Sequence, residues 1–360
     1  MSHSIYLRKD GRWEARLSLG TENGKRKTRS FYGKSREEAE YKLIVSQQNQ
    51  ADEYAVTELT VRELAVEFLQ TSSVRLKEST AANYRMKAEK HIIPAFGDIQ
   101  CCMLKSKMIY QCVEQKLKAG LSARYITDIL VLMKSMFRYA SREYHIRNVM
   151  DDIVIPKGSK PEIAVLSPEQ QETLKSYITA NQNLTTLGVA LSLYTGVRIG
   201  ELCALQWADI DLKKRILTVR KTIQRIQCIS GKKRTKLIIT EPKSRSSCRE
   251  IPLPECLCEM LSQFQNQQDI YLLSGKTKPV EPRTMQYRFS KILENANLPS
   301  VHYHALRHAF ATNCVALGFD VKTLSEILGH SSIELTLNRY VHSSLERKQS
   351  CMNLLSWSAA

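Results

Sequence analysis

The sequence predicts a mainly α-helical chain with small antiparallel sheets, divided into a sheet module, a helical unit and a mixed α/β unit. Three observations predict it. Short β-type runs broken by Asp10-Gly11 and Asn23-Gly24 open the chain. From Thr60 to about His145 apolar residues recur at helical spacing, and beyond the linker-like run at 156–160 (PKGSK) helical and alternating patterns mix. A chain of 360 residues can bury two or three separate cores.

Taken in order, Ile5 to Lys9 and Trp13 to Leu19 flank the Asp-Gly hairpin signal, and Lys25 to Tyr32 follows the Asn-Gly turn. Ser35 and Glu38 form a capping box that opens a helix to about Gln50. Positions 1 to 36 hold ten Lys/Arg against three acids, with Trp13, Phe31 and Tyr32 as core candidates. A basic sheet backed by a helix is able to lie against DNA. Arg8, Arg12, Arg16, Lys25, Arg26, Lys27 and Arg29 are the candidate contacts, and a solvated charged face is the competing reading. Residues 1–55 form this module.

Residues 58–155 read as a helical unit. Val61, Leu64, Ala65 and Phe68 mark its first helix, and Thr80 to Ile92 a second, ended by Pro94 and Gly97. Ser106 to Lys118 is a third, and Ser122 caps a long fourth with an apolar stripe from Ile126 to Ala140. Lys87, Lys90, Arg124 and Lys134 are candidate DNA contacts on this unit, which by itself reads as any helix bundle. Residues 156–166 are the linker. Ser167-Pro168 then starts a helix, followed by one at 184–194 and by a turn that puts Arg198 at a helix start, in pairing range of Glu201. That helix is expected to end at Asp209-Ile210-Asp211. From Lys213 to Arg249 there are thirteen Lys/Arg against one acid, in three strand-like runs (216–219, 237–240 and 249–253) read as one small sheet, with Lys243 in the turn before the last. Helices follow at 255–268, 283–296, 304–317 and 320–329, then a final segment 332–340.

The net charge of +17 and pI near 9.4 point to a polyanionic partner, nucleic acid ahead of an anionic membrane surface. No apolar run reaches membrane-span length and the N-terminus lacks a secretory apolar core, so a cytoplasmic protein without membrane association is expected. Ten cysteines without a Cys-x-x-Cys pair read as reduced thiols rather than a disulfide framework or zinc module.

Chemistry concentrates between His302 and His342. His304, Arg307 and His308 form a His-x-x-Arg-His group, Gly329-His330 follows, and Tyr340 lies ten residues beyond His330. Cleaving a phosphodiester needs an in-line nucleophile, cations on the nonbridging oxygens and a proton for the departing 5′ oxygen. Arginine matches a phosphate bidentately, lysine or histidine supplies a proton, and tyrosine attacks while staying bonded to the strand. Arg198 and Arg307 suit the oxygens, Lys243 the proton, Tyr340 the attack, and His304 and His330 the phosphate or the tyrosine proton; the scheme uses no metal and no cofactor. Each residue alone is a weak signal. A lone histidine is usually structural, His304 and His308 lack a third zinc ligand, and Tyr340 is one of fifteen tyrosines.

Four phrases choose among these readings. TGVRIGELCALQWADIDL, TEPKSRSSCREIPLP, HALRHAFATNCVALG and LSEILGHSSIELTLNRYVH resemble, in order, the four boxes of the tyrosine recombinases, above all the integrases of temperate phages and conjugative transposons. HIIPAFGDI and its preceding helices resemble that family's core-binding domain, and the first fifty residues its arm-site-binding sheet domain. The resemblance implies a mixed α/β catalytic domain at 167–342 with Arg198, Lys243, His304, Arg307, His330 and Tyr340 in the catalytic positions. Glu201 would support the first arginine, and His308 would be structural. It also implies a bacterial, nucleoid-associated enzyme that binds double-stranded DNA at core-type and arm-type sites. Such an enzyme works as a homotetramer through a 3′-phosphotyrosine and a Holliday junction, often with an excisionase and a host DNA-bending protein. The segment 343–360 would then dock on a neighbouring protomer. A noncatalytic DNA-binding regulator and a type IB topoisomerase are the alternatives.

Overall fold

Alternation in WEARLSL sends Ala15 and Leu17 to one side of a strand and Glu14 and Arg16 to the other, and the N-terminal module is built on that division. The computed structural model describes residues 3–8, 10–22, 25–52, 58–154, 165–228, 235–241, 247–330, 332–340, 349 and 352–353, with backbone alone at 3, 19–22, 25–27, 45–52, 335 and 338–340. Strands β1 (His3–Leu7), β2 (Trp13–Glu22) and β3 (Lys25–Gly33) form an antiparallel sheet in the order β1-β2-β3. Helix α1 (Arg36–Asp52) covers one face, where Ala15, Leu17, Ala39 and Leu43 close a small core. Its start is half of the expected box: Glu38 N–H donates to Ser35, but the Glu38 carboxylate accepts from Lys34 N–H, one residue before the cap.

The opposite face is organised around a buried acid. Glu14 sits between Tyr6 and Tyr32 in the cross-strand register. It accepts from Ser30 Oγ at 2.6 Å, Arg16 Nη2 at 2.8 Å and Arg8 Nη1 at 3.0 Å. Arg8 and Arg12 lie over the Tyr32 ring and Arg16 over Tyr6, so three of the predicted DNA contacts are held in fixed poses. Arg29 is exposed beside the Phe31 ring, while the side chains of Lys25, Arg26 and Lys27 lie outside the described residues. The hydrogen bond from Ser30, against the opposing effect of burial, together with the bond from Arg16, holds the Glu14 carboxyl down at about 2 from an ordinary 4.5. A depressed carboxyl stabilises the fold above its unfolded value and loses that contribution as pH falls toward the folded one. The melting temperature of the wild type is therefore expected to drop relative to Glu14→Gln as pH goes from about 4.5 to about 2. Parallel pH slopes in differential scanning would contradict this.

The second part of this region is helical: α2 (Val61–Ser73), α3 (Glu78–Lys87), α4 (Ile93–Phe96), α5 (Ser106–Lys118) and α6 (Ala123–Tyr144). Thr60 and Glu63 form a capping box on α2, and Ser122 caps α6 as its sequence predicts. One expectation is corrected. Pro94 does not end the second helix; a π-helical turn, Ala88–Ile92, leads without a break into α4, which carries Pro94 in its first turn. A second correction concerns Lys87. Its side chain is buried, 3.3 Å from Asp128 and over the Tyr125 ring, so it is a packing cation and not a surface contact. Lys90, Arg124 and Lys134 do reach solvent, with Arg124 and Lys134 in loose pairs to Asp128 and Asp151.

Residues Met1–Ser159 and Lys160–Ala360 form two compact units. The second begins with α7 (Pro168–Ala180), α8 (Leu184–Thr195) and α9 (Ile199–Leu202). The short α9 corrects the expected helix end at Asp211: Trp207–Asp209 is a 3-10 turn and Ile210–Asp211 is strand β4. Strands β5 (Ile216–Val219), β6 (Thr222–Gln227), β7 (Thr235–Thr240) and β8 (Arg249–Pro252) follow. They form two sheets, β4-β5-β8 and β6-β7, rather than the single one expected. The missed strand, β6, has its buried Ile223 and Ile226 three apart, which defeats an alternation reading. Helices α10 (Glu255–Ser262), α11 (Pro282–Asn295), α12 (His304–Ala316), α13 (Val321–Leu328) and α14 (Ile333–Tyr340) complete the unit. Helix α10 stops short of 268, where the run 265–268 is polar and exposed. Its core surrounds α8, which is apolar on all sides and buried nearly throughout. Among the described residues no helix is long and apolar enough to cross a membrane.

Candidate active site

Three arginines from separate elements converge on the end of α13. Helix α8 ends at Gly196 in the left-handed region (φ 63°), where a Cβ would lie 2.5 Å from the Phe310 ring. That tight turn brings Arg198 to the N-cap of α9. Arg198 Nη1 donates to Glu201 Oε1 at 2.7 Å, and Nη2 to the Gly329 carbonyl at 3.1 Å. Arg307, on α12 and only 2% exposed, donates to the Gly196 carbonyl at 2.7 Å and the Leu328 carbonyl at 2.8 Å. Arg249, at the start of β8, donates through Nε to the Ile327 carbonyl and through Nη2 to Glu201 Oε2 at 3.0 Å. Carbonyls 327, 328 and 329 thus each seat one guanidinium, at the helix end whose dipole favours cations.

Glu201 is buried between two of these cations. Burial pushes its carboxyl up, but Arg249 and Arg198 outweigh that and hold it below the usual carboxylate range. Its Oε2 also accepts from the Arg198 backbone N–H at 3.0 Å. One carboxylate therefore fixes both the main chain and the side chain of Arg198, whose side chain stays 38% exposed.

The histidines flank this group. His304 opens α12 at the surface, its ring edge-to-face with the buried His308 at 4.8 Å. This agrees with a structural place for His308. His330 follows the left-handed Gly329 (φ 63°), and its Nδ1 lies 2.7 Å from the hydroxyl of the fully buried Thr336 on α14. That contact ties His330 to the helix whose last residue is Tyr340. The Tyr340 side chain and all of Lys243 lie outside the described residues, as does most of 343–360. No group of three metal-ligating side chains occurs among the described residues.

Sequence reasoning assigned neither Arg249 nor Thr336 to the site. For Arg249 a signal existed: it is in phase with buried Ile251 and Leu253, and a charge on the inward face of a strand must find a partner. Thr336 carried none.

Comparison with known proteins decides what this arrangement belongs to. Residues 164–347 match the family model described as phage integrase family, and residues 60–116 the model for the phage integrase N-terminal SAM-like domain. The chain belongs to the phage integrase family. It is a tyrosine site-specific recombinase. It is 29% identical over 368 residues to a protein named tyrosine recombinase XerC-like from Caldanaerobacter subterraneus subsp. tengcongensis, covering 93% of each chain. Among solved structures it resembles the Tn1549 transposon integrase in complex with a circular intermediate DNA (TM-score 0.70, 23% identity, 83% of this chain and 100% of that one). It also resembles a lambda integrase tetramer bound to a Holliday junction (TM-score 0.59, 19% identity, 95% and 97%). These structural likenesses show the fold. Of the two arginines at the end of α13 that the sequence singled out, Arg198 is the partly exposed cation and Arg307 the buried one.

Proposed function

We propose that this recombinase integrates and excises a mobile genetic element, using Tyr340 as nucleophile. The phenolic oxygen attacks the scissile phosphorus in line, forming a 3′-phosphotyrosine as the bond to the 5′ oxygen breaks. Arg198 and Arg307 neutralise the nonbridging oxygens as charge grows. Lys243 delivers the proton to the 5′ oxygen, and His304 and His330 orient the phosphate and accept the phenolic proton. The free 5′ hydroxyl of another duplex then reverses the step, so the bond energy is retained in the phosphotyrosine and no cofactor takes part. The observation that carries this reading is the placement of Arg307 and Arg198 on successive carbonyls, Leu328 and Gly329, directly before His330 and the helix that ends at Tyr340.

The division of labour proposed along the chain follows the sequence reading. Residues 1–55 engage arm-type sites through Arg8, Arg12 and Arg16; residues 58–155 engage core-type sites through Lys90, Arg124 and Lys134. Residues 156–166 link these to the catalytic residues 167–342. The enzyme acts in the bacterial cytoplasm on nucleoid DNA as a homotetramer, with the tail at 343–360 docked on a neighbour and an excisionase and a host bending protein setting direction. The lambda integrase tetramer on a Holliday junction, a protein of this fold, supports the tetramer.

Incubation with nicked core-site DNA, in which the cleaved strand loses its 5′-hydroxyl fragment, tests the chemistry. A covalent adduct resistant to EDTA, with the phosphate mapped to Tyr340 by mass spectrometry, is expected. An adduct on another residue, or site binding without any adduct, would overturn the proposal.

A further inference from the structure

Arg249 is a buried cation, 6% exposed, that the mechanism above leaves without a task. Besides Glu201 and the Ile327 carbonyl it donates to the Ser247 carbonyl at 3.1 Å. It therefore spans three elements: the entry to β8, the acid on α9 and the C-terminal turn of α13. Burying a guanidinium that only balanced one acid would gain little, because an apolar pair of similar volume packs as well. Here the acid it balances is the one that grips Arg198 twice. The carbonyl it holds is followed in sequence by those that hold Arg307 and Arg198.

We infer that Arg249 is a positioning residue for the recombination chemistry: through Glu201 and the α13 carbonyls it sets the pose of Arg198 relative to Arg307 and ties both to the segment leading to His330 and Tyr340. This rests on the proposed role of Arg198 at the scissile phosphate. The geometry is one-directional in a useful way. Glu201 offers Oε1 to the Arg198 side chain and Oε2 to its backbone N–H and to Arg249, so losing Arg249 lets the carboxylate rotate while Arg198 keeps its charge. The cost then appears as misplacement, not as lost charge, and a displacement near 1 Å lowers a reaction by on the order of 100-fold. Lysine at 249 keeps the charge but lacks the fork that reaches Glu201 and Ile327 together.

The test uses the full-length chain carrying Arg249→Met or Arg249→Lys, with single-turnover cleavage of nicked core-site DNA and site affinity measured in parallel. Both variants are expected to cleave on the order of 100-fold more slowly, with affinity changed by no more than about threefold. The same assay on DNA with a methylphosphonate at the scissile linkage adds a readout that a general structural role would not move. That linkage has lost one anionic oxygen and asks less of Arg198, so the variant-to-wild-type gap is expected to shrink to less than about tenfold. Wild-type cleavage by Arg249→Lys, equal losses of cleavage and affinity, or an undiminished gap on the neutral linkage would each overturn the inference. Tyr340→Phe run alongside keeps the failures apart: an adduct persisting in that variant sinks the proposed nucleophile, whereas its absence beside a fast Arg249→Lys sinks only the role given to Arg249.

Discussion

Tyr340→Phe is expected to bind core-site DNA with affinity within about twofold of wild type and to form no covalent adduct. The substitution removes one oxygen and keeps the ring, so the helix that carries it has little reason to change. Helix α14 is anchored instead by Thr336, fully buried and bonded to His330, a turn before the tyrosine. Core-site binding, in the proposed division of labour, draws on a chain of net charge +17 and on Lys90, Arg124 and Lys134 of the helical unit, none of which the mutation touches. What is lost is the only atom assigned to bond with phosphorus. Gel analysis after denaturation reads the adduct and a filter or mobility assay reads binding. A persisting adduct would move the nucleophile elsewhere, and a parallel loss of binding would make Tyr340 a DNA-positioning aromatic.

The second large effect separates two arginines that sequence treats alike. Arg198→Ala and Arg307→Ala are each expected to lower single-turnover cleavage by roughly 10²–10³-fold, since in the proposed mechanism each removes a cation from the charge-developing phosphate. Their stabilities should diverge. Arg307 is buried and satisfies the carbonyls of Gly196 and Leu328, so alanine leaves both acceptors buried and unpaired. Each such group costs about 1–3 kcal/mol, and a total loss of about 2–4 kcal/mol is expected for this variant. Arg198 is 38% exposed, and its acid retains Arg249 as a partner, so alanine there should cost about 1 kcal/mol or less. Urea denaturation followed by far-ultraviolet dichroism measures the difference. Equal stabilities would mean that the Arg307 carbonyl contacts are replaced by water or by rearrangement.

Much of this architecture was legible in the residues. Local signals did well where the physics is local: the capping residues Ser35, Ser122 and Ser167 all open helices, because a side-chain oxygen satisfies N–H groups a few positions away. The errors occurred where a distant partner outweighed local preference. Pro94 reads as a helix stop, yet flanking Ile92 and Phe96 are buried in the bundle and the backbone absorbs the proline with a π turn. Residues 222–227 do not alternate, yet they become a strand because β7 supplies the ladder and Arg225 is held by Glu281. Lys87 looks like one more surface cation, and Asp128 and Tyr125, some forty positions away, take it inside.

The sequence by itself determined the chemistry that the site has to offer: residue types cannot be changed by folding, and four ordered motifs supply cations, imidazoles and one late tyrosine. It also determined the mainly helical plan, since helical periodicity and caps are short-range properties. Only the tertiary structure decided how the cations are held. Arg198, Arg249 and Arg307 meet on carbonyls 327 to 329 because helix α13 ends there, at a left-handed glycine, with acceptors that its own backbone no longer satisfies. Main-chain carbonyls are the same at every residue, so no pattern of side chains announces which three will become the seat of an active site.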